Sequence, residues 1–377
     1  MKYYILAGEA SGDLHGSRLV AALKAADPDA RFNFFGGDRM AAAVGHEPLV
    51  HIRDMAYMGF SEVLRNLGTI RRNMSIARRV LDVAKPDAVI LIDYPSFNLK
   101  VAAAAARLGI PVYYYISPKI WAWKKWRVRD IKKLVRRVFC ILPFEPEFYA
   151  RYGYTADYVG NPTVDEIRDD LAHVESRADF LARHKLRDRP LIALLPGSRR
   201  GEIRNNLPVM LAAAHPFVGY RPVVLAAPGI DRELYSSIIG TREVAVIDTP
   251  RATDLLAHVR GAMVTSGTAT LEAAIAGVPQ VVCYRANGSK ISYDLMKRVL
   301  DVDFVSLPNL IAGREVVPEM LLHMCTPAAV ADTLAPLLRD GDARQAQLDG
   351  YAEIAAILGN EDAAANTAHA IVTDLSK

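Results

Sequence analysis

The chain has 377 residues, enough at about 100–200 residues per domain for two domains, each with its own core. Its 51% hydrophobic, 23% charged and 8% aromatic residues exclude wholesale disorder, collagen-like repeats and a disulfide-stapled miniprotein. The net charge is only +4, so what matters is where positive charge is concentrated.

In chain order, Tyr3–Ala7, Phe32–Phe35, Ala88–Ile92, Val112–Ile116 and Val138–Leu142 read as buried strands. Helices are expected over Asp13–Ala26, Ser61–Val83 and Leu99–Leu108. After a charge-rich connecting helix from Asp165 to His184 the alternation restarts. Strands are expected at Leu191–Leu195, Pro222–Ala226, Val244–Ile247, Ala262–Thr265 and Gln280–Cys283, with helices near Arg204–Ala214, Thr268–Ala276 and Ser289–Leu300. Beyond Thr326-Pro327 only helices are visible. This order implies two parallel sheets with helices on both faces. We therefore expect an α/β chain of two Rossmann-like domains, 1–163 and 164–345, facing a central cleft, with C-terminal helices 346–377 returning towards the first domain. That is the plan of GT-B glycosyltransferases. Cys140, Cys283 and Cys325 are far apart in sequence among apolar neighbours, which favours a reducing cytoplasm over a metal knuckle. No apolar run reaches the roughly 20 residues of a spanning helix. Gly8-Glu9 interrupts the first apolar stretch too early for a signal peptide.

Ligands of such sheets bind beyond the carboxyl ends of the strands. The first strand runs into Gly8-Glu9-Ala10-Ser11-Gly12-Asp13, which fits neither a dinucleotide fingerprint nor a P-loop. Gly8 and Gly12 permit close backbone approach to a ligand, and Ser11 or Asp13 suits capping of the next helix. On spacing alone a plain strand-to-helix turn is an equal reading. In Pro196-Gly197-Ser198-Arg199 a glycine turn precedes a hydroxyl and an arginine, whose planar fork suits phosphate. Ser266-Gly267-Thr268-Ala269 ends a strand and opens a helix, a ready anion site. Glu272, one turn inside, has Ala269 three residues before it and so cannot close a capping box; it suits the two hydroxyls of a ribose, or else the helix dipole alone. Together these loops describe a pocket for a diphosphate joined to a ribose. Asp93, at the end of an apolar strand, is a candidate general base, the alternative being a helix-initiating Asp beside Pro95.

Two basic regions stand out. All three tryptophans fall in Trp121-Ala122-Trp123-Lys124-Lys125-Trp126, followed by more Lys and Arg, a pattern of nucleic-acid binders, membrane surfaces or simply a solvated basic helix. From Met58 to Arg79, Phe60, Val63, Leu64, Leu67, Ile70 and Met74 share one helical face with Arg71 and Arg78 close to it. Apolar side chains interleaved with arginines suit acyl chains carrying anionic head groups.

Several stretches together resemble the lipid-A-disaccharide synthases, GT-B glycosyltransferases of family 19. They are Ala7-Gly8-Glu9-Ala10-Ser11-Gly12-Asp13, Met58-Gly59-Phe60-Ser61-Glu62-Val63, Ser117-Pro118-Lys119-Ile120-Trp121-Ala122-Trp123, Leu195-Pro196-Gly197-Ser198-Arg199, Ser266–Glu272 and Val305-Ser306-Leu307-Pro308-Asn309-Leu310. They span nearly the whole chain in the family's order. The resemblance implies transfer of diacylglucosamine from UDP-diacylglucosamine to the 6-hydroxyl of diacylglucosamine 1-phosphate (lipid X), with inversion and loss of UDP. It implies Asp93 as base, and Arg199 with Ser198, Gly267 and Thr268 on the diphosphate. Glu272 falls on the ribose and Asn309 in the donor site. Gly8, Ser11, Gly12, Ser266 and Ala269 complete the substrate contacts, while Met58, Phe60, Val63, Leu64, Leu67, Arg71, Trp121 and Trp123 form an acyl or membrane contact. No cofactor, metal or nucleic acid is expected. The expected partners are an anionic membrane surface and a second copy through the C-terminal helices; the expected place is the cytoplasmic face of a Gram-negative inner membrane. Some family members carry a second acid where this chain has Ser96, which leaves Asp93 as the only carboxylate of its loop. The alternatives are a GT-B enzyme on a soluble UDP-sugar, such as an epimerase, and a non-catalytic polyanion-binding protein.

Overall fold

The computed structural model describes residues 1–55, 67–123, 125–249, 251–285 and 303–377. The expected contact residues Met58, Phe60, Val63 and Leu64, the start of the helix predicted from Ser61, and the predicted helix Ser289–Leu300 lie outside them, as does the side chain of Trp123. The chain divides into two compact units, Met1–Pro162 with Asn360–Lys377, and Thr163–Gly359.

Among the described residues the first unit holds seven parallel strands: β1 (Lys2–Ala7), β2 (Arg31–Gly36), β3 (Val50–His51), β4 (Ala88–Ile92), β5 (Val112–Tyr115), β6 (Arg137–Cys140) and β7 (Asp157–Tyr158). They lie in the order β3-β2-β1-β4-β5-β6-β7. The second unit holds six: β8 (Leu191–Leu195), β9 (Arg221–Leu225), β10 (Ala245–Ile247), β11 (Val259–Val264), β12 (Gln280–Tyr284) and β13 (Glu319–Leu321), in the order β10-β9-β8-β11-β12-β13. Both are doubly wound sheets whose order reverses between the first and fourth strands, β1/β4 and β8/β11. The central strands are buried on both faces, which is why they read as unbroken apolar runs. The predicted strands all form. Those missed, β3, β7 and β13, have only two or three residues and no run long enough to show a period. One further difference is local. The connecting helix is two helices, Pro162–Ala172 and Arg177–Arg183, the second restarted by the Ser176 hydroxyl accepting from the Asp179 amide.

The C-terminal helices part company. Asp342–Leu358 stays with the second sheet, where Gln347 accepts from the Gln280 amide at 2.6 Å and Tyr351 donates to the Val278 carbonyl. Ala363–Leu375 packs with the first unit, burying Ala363, Ala368 and Ile371, and Asp374 accepts from Tyr113 at 2.7 Å and pairs with Arg136. Among the described residues no helix is long and apolar enough to cross a membrane.

Candidate active site

A reversal of strand order leaves a crevice at the carboxyl ends of the two strands flanking it. In the first unit Ala7 lies opposite Ile92, so the loops at Gly8 and Asp93 are neighbours. Asp93 and Tyr94 both take left-handed backbone conformations, with φ of +41° and +47°. Two successive non-glycine residues there cost on the order of 1 kcal/mol or more each, so surrounding structure must hold them. Asn98 donates to the carbonyls of Ile92 and Asp93 (3.1 and 2.7 Å), and the Tyr114 hydroxyl donates to the Asp93 carbonyl at 2.6 Å. The Tyr94 ring covers Gly8, where an added Cβ would fall 2.4 Å from it, and its hydroxyl donates to the Met55 carbonyl. Gly8 is therefore glycine to admit that ring. The turn aims a half-buried Asp93 carboxyl off the end of β4, where burial raises its pKa against the pull of Lys119, its own loop amide and His15.

Asp13 does not cap the helix it sits in. Its carboxylate accepts from the amides of Gly37 (2.6 Å), Met40 (3.0 Å) and Arg39 (3.1 Å), capping the Asp38–Val44 helix from a distance. Ser11 is exposed in the first turn of the Ala10–Ala26 helix, which has no side-chain cap, and Gly12 packs against Ala7. Ser96 accepts from the buried Arg127 at 3.2 Å.

In the second unit the Thr265 amide donates to the Leu195 carbonyl, joining the ends of β8 and β11. A residue that sequence reasoning missed, the fully buried Asn206, staples three strand ends. It donates to Thr265 (3.0 Å) and to the Pro196 carbonyl, and accepts from the Arg285 amide (2.7 Å). An asparagine on an apolar helix face was the only available sign.

The two anion loops differ. After β8, Glu202 already fills the amide nest: it accepts from the amides of Ser198 (3.0 Å) and Arg199 (3.3 Å) and from the Arg199 guanidinium (2.7 Å). Gly197, at φ +113°, is glycine because a Cβ would fall 2.5 Å from that carboxylate. The Ser198 amide is thus taken by the chain's own anion. Arg199 is 65% exposed and has N–H groups with no partner among the described residues, whereas Arg200 pairs with Asp231. After β11 the Thr268–Ile275 helix opens with no side-chain cap, and Gly267 and Thr268 are exposed with Ala269 half-buried beside them. Ser266 donates to the Val305 carbonyl at 2.8 Å and so serves the loop. Glu272 is lifted to about 7 by burial and then by the charges of Glu166 and Asp170, and among the described residues no group donates to its carboxyl.

Two of the expected contact residues are held inside the fold. Asn309 is fully buried and its amide is wholly used: it donates to the Val317 carbonyl and Glu319 and accepts from the amides of Val316 and Val317. With no polar atom left over, it fixes the loop beside Ser266. Trp121 is buried, its indole donating at 3.1 Å to a Glu145 carboxyl that burial raises to about 7, so its ring packs in the core. Trp126 is exposed. On the Leu67–Ala84 helix, Leu67 and Arg71 are exposed, and Arg71, Arg78 and Arg79 line a groove with Ile70 and Met74.

A sequence model of the lipid-A-disaccharide synthetase family matches residues 3–372. The chain is 43% identical to a lipid-A-disaccharide synthase of Myxococcus xanthus over 98% of this chain and 96% of that one. It is 39% identical to one from Acidobacterium capsulatum over 96% and 93%. A UDP-GlcNAc 2-epimerase from Neisseria meningitidis, solved with UDP-GlcNAc, shares the fold at a TM-score of 0.65 and 14% identity over 99% of each chain. Two sheets of one strand order, the loops at their reversals and a match over almost the full length lead to one conclusion: the chain belongs to the lipid-A-disaccharide synthase family, and is a glycosyltransferase of lipid A disaccharide synthesis.

Proposed function

We propose that the donor is UDP-2,3-diacylglucosamine and the acceptor 2,3-diacylglucosamine 1-phosphate, joined by a single inverting displacement. The observation that carries the assignment of roles is the division of chemistry between the two order reversals. One presents a carboxylate held in a strained turn, the other an uncapped helix start with a donor-free carboxyl one turn inside.

Asp93 takes the proton of the acceptor 6-hydroxyl as that oxygen attacks the anomeric carbon, and burial makes it a stronger base than an ordinary aspartate. The amides at Gly267, Thr268 and Ala269 and the free donors of Arg199 meet the charge on the departing UDP. Glu272, ionised, accepts from the ribose hydroxyls. The UDP-GlcNAc held by the Neisseria epimerase supports a UDP-sugar on this fold. Gly8, Ser11 and Gly12 border the acceptor. Its acyl chains, and a peripheral contact with an anionic membrane on the cytoplasmic face, are assigned to the stretch from Met58 through Phe60, Val63, Leu64 and Leu67 to Arg71. A homodimer through the C-terminal helices is part of this reading.

The test is turnover of UDP-diacylglucosamine and the acylated sugar phosphate in mixed detergent micelles. Asp93→Asn is expected to lose roughly 10²–10⁴-fold in kcat while UDP binds unchanged. Full turnover by Asp93→Asn would sink the base assignment, and absence of a tetra-acylated product from the wild-type protein would sink the substrates.

A further inference from the structure

Arg127 stands out among the buried groups of the first unit. It is 9% exposed, and among the described residues its buried Nε has no hydrogen-bond partner and its one hydrogen bond donates to the neutral Ser96 hydroxyl at 3.2 Å. No carboxylate among the described residues lies within ion-pair distance of it, and the Trp126 ring lies 5.5 Å away. A buried guanidinium normally brings a counter-charge, because removing it from water costs several kcal/mol that only an anion repays. Here the position facing it, three residues after Asp93, is a serine.

The location ties this unmatched charge to the acceptor side of the reaction. Ser96 lies in the first turn of the Pro95–Arg107 helix, directly after the strained Asp93-Tyr94 pair. Tyr114, whose hydroxyl holds the Asp93 carbonyl, feels the charges of both Asp93 and Arg127. A planar guanidinium with unused N–H donors beside a hydroxyl is suited to a phosphomonoester, which takes paired donors and supplies two negative charges.

We infer that Arg127 and Ser96 form a phosphate subsite that takes the phosphomonoester of the acceptor sugar and fixes it relative to Asp93. The inference rests on the acceptor proposed above, although the binding it describes is measurable without turnover. The three tryptophans of the chain lie at positions 121, 123 and 126, so intrinsic fluorescence reports directly on this segment.

Wild-type protein is titrated with glucosamine 1-phosphate and, separately, with inorganic phosphate, both in the presence of saturating UDP. A saturable change is expected with the sugar phosphate, at least tenfold tighter than with inorganic phosphate. Arg127→Met is expected to weaken it tenfold or more, as loss of charged hydrogen bonds requires. Ser96→Asp, an exposed position, supplies an internal counter-charge and is expected to weaken it similarly while raising the melting temperature. A flat wild-type titration, or binding unchanged in both variants, would overturn the subsite. Equal affinity for the two ligands would overturn its assignment to the acceptor. Should Asp93→Asn keep full turnover while Arg127→Met loses the sugar phosphate, the base reading fails and the subsite stands.

Discussion

Glu272 illustrates the cost of readiness at a single residue. Its carboxyl is buried, has no donor among the described residues and lies near Glu166 and Asp170, so its pKa stands at about 7 where the ordinary value is 4.5. A folded-state pKa raised above the unfolded one means extra protons bound in the native state. The stability this contributes is complete below about pH 4.5 and is lost as pH rises through about 7. Glu272→Gln should therefore melt higher than wild type near pH 8, the gap closing towards pH 4.5, and should bind UDP more weakly; calorimetry across that range checks both. Asn309 is the converse, a polar side chain with every bond made. Asn309→Ala strands the amides of Val316 and Val317 and one bond of Glu319, and should cost about 3 kcal/mol or more in denaturant unfolding, at roughly 1–3 kcal/mol per buried group left unpaired.

At the level of elements, the segment around the tryptophans separates packing from contact. Trp121, edge-on to Phe144, donates to Glu145, which also accepts from the amides of Ile141 and Leu142. Trp121→Phe keeps the ring and removes the donor, so stability should fall by about 1–3 kcal/mol while sedimentation with anionic liposomes stays as it was. The Leu67–Ala84 helix behaves oppositely. Its Asn73, Ala77 and Leu81 face the core, whereas Leu67 and Arg71 face solvent. Leu67→Ser with Arg71→Ser should leave the melting temperature within about 1 °C, as exposed substitutions do, and reduce liposome partitioning. Unchanged partitioning would remove this helix from the membrane contact.

For the molecule as a whole, the first unit is assembled from the two ends of the chain. Residues 360–377 bury Ala363, Ala368 and Ile371 against it and place Asp374 on Tyr113 and Arg136. A chain ending at Gly359 should lose the unfolding transition of the first unit and with it all turnover. The second unit, complete within Thr163–Gly359, should keep its own transition and its affinity for UDP. Differential scanning calorimetry with and without UDP distinguishes these outcomes.

Sequence alone determined the alternation of buried strands with helices, and so two parallel sheets, because strands covered on both faces must be apolar throughout. It also placed Asp93, Arg199, Gly267 and Glu272 at strand ends and helix starts, since loop chemistry is local. Tertiary structure decided which of those groups are already engaged. That Glu202 fills the nest at Ser198, that Asp13 caps a helix over twenty residues away, and that Trp121 and Asn309 are consumed by the core all depend on partners. Spacing shows where a donor can stand; only the fold shows whether something has already accepted from it.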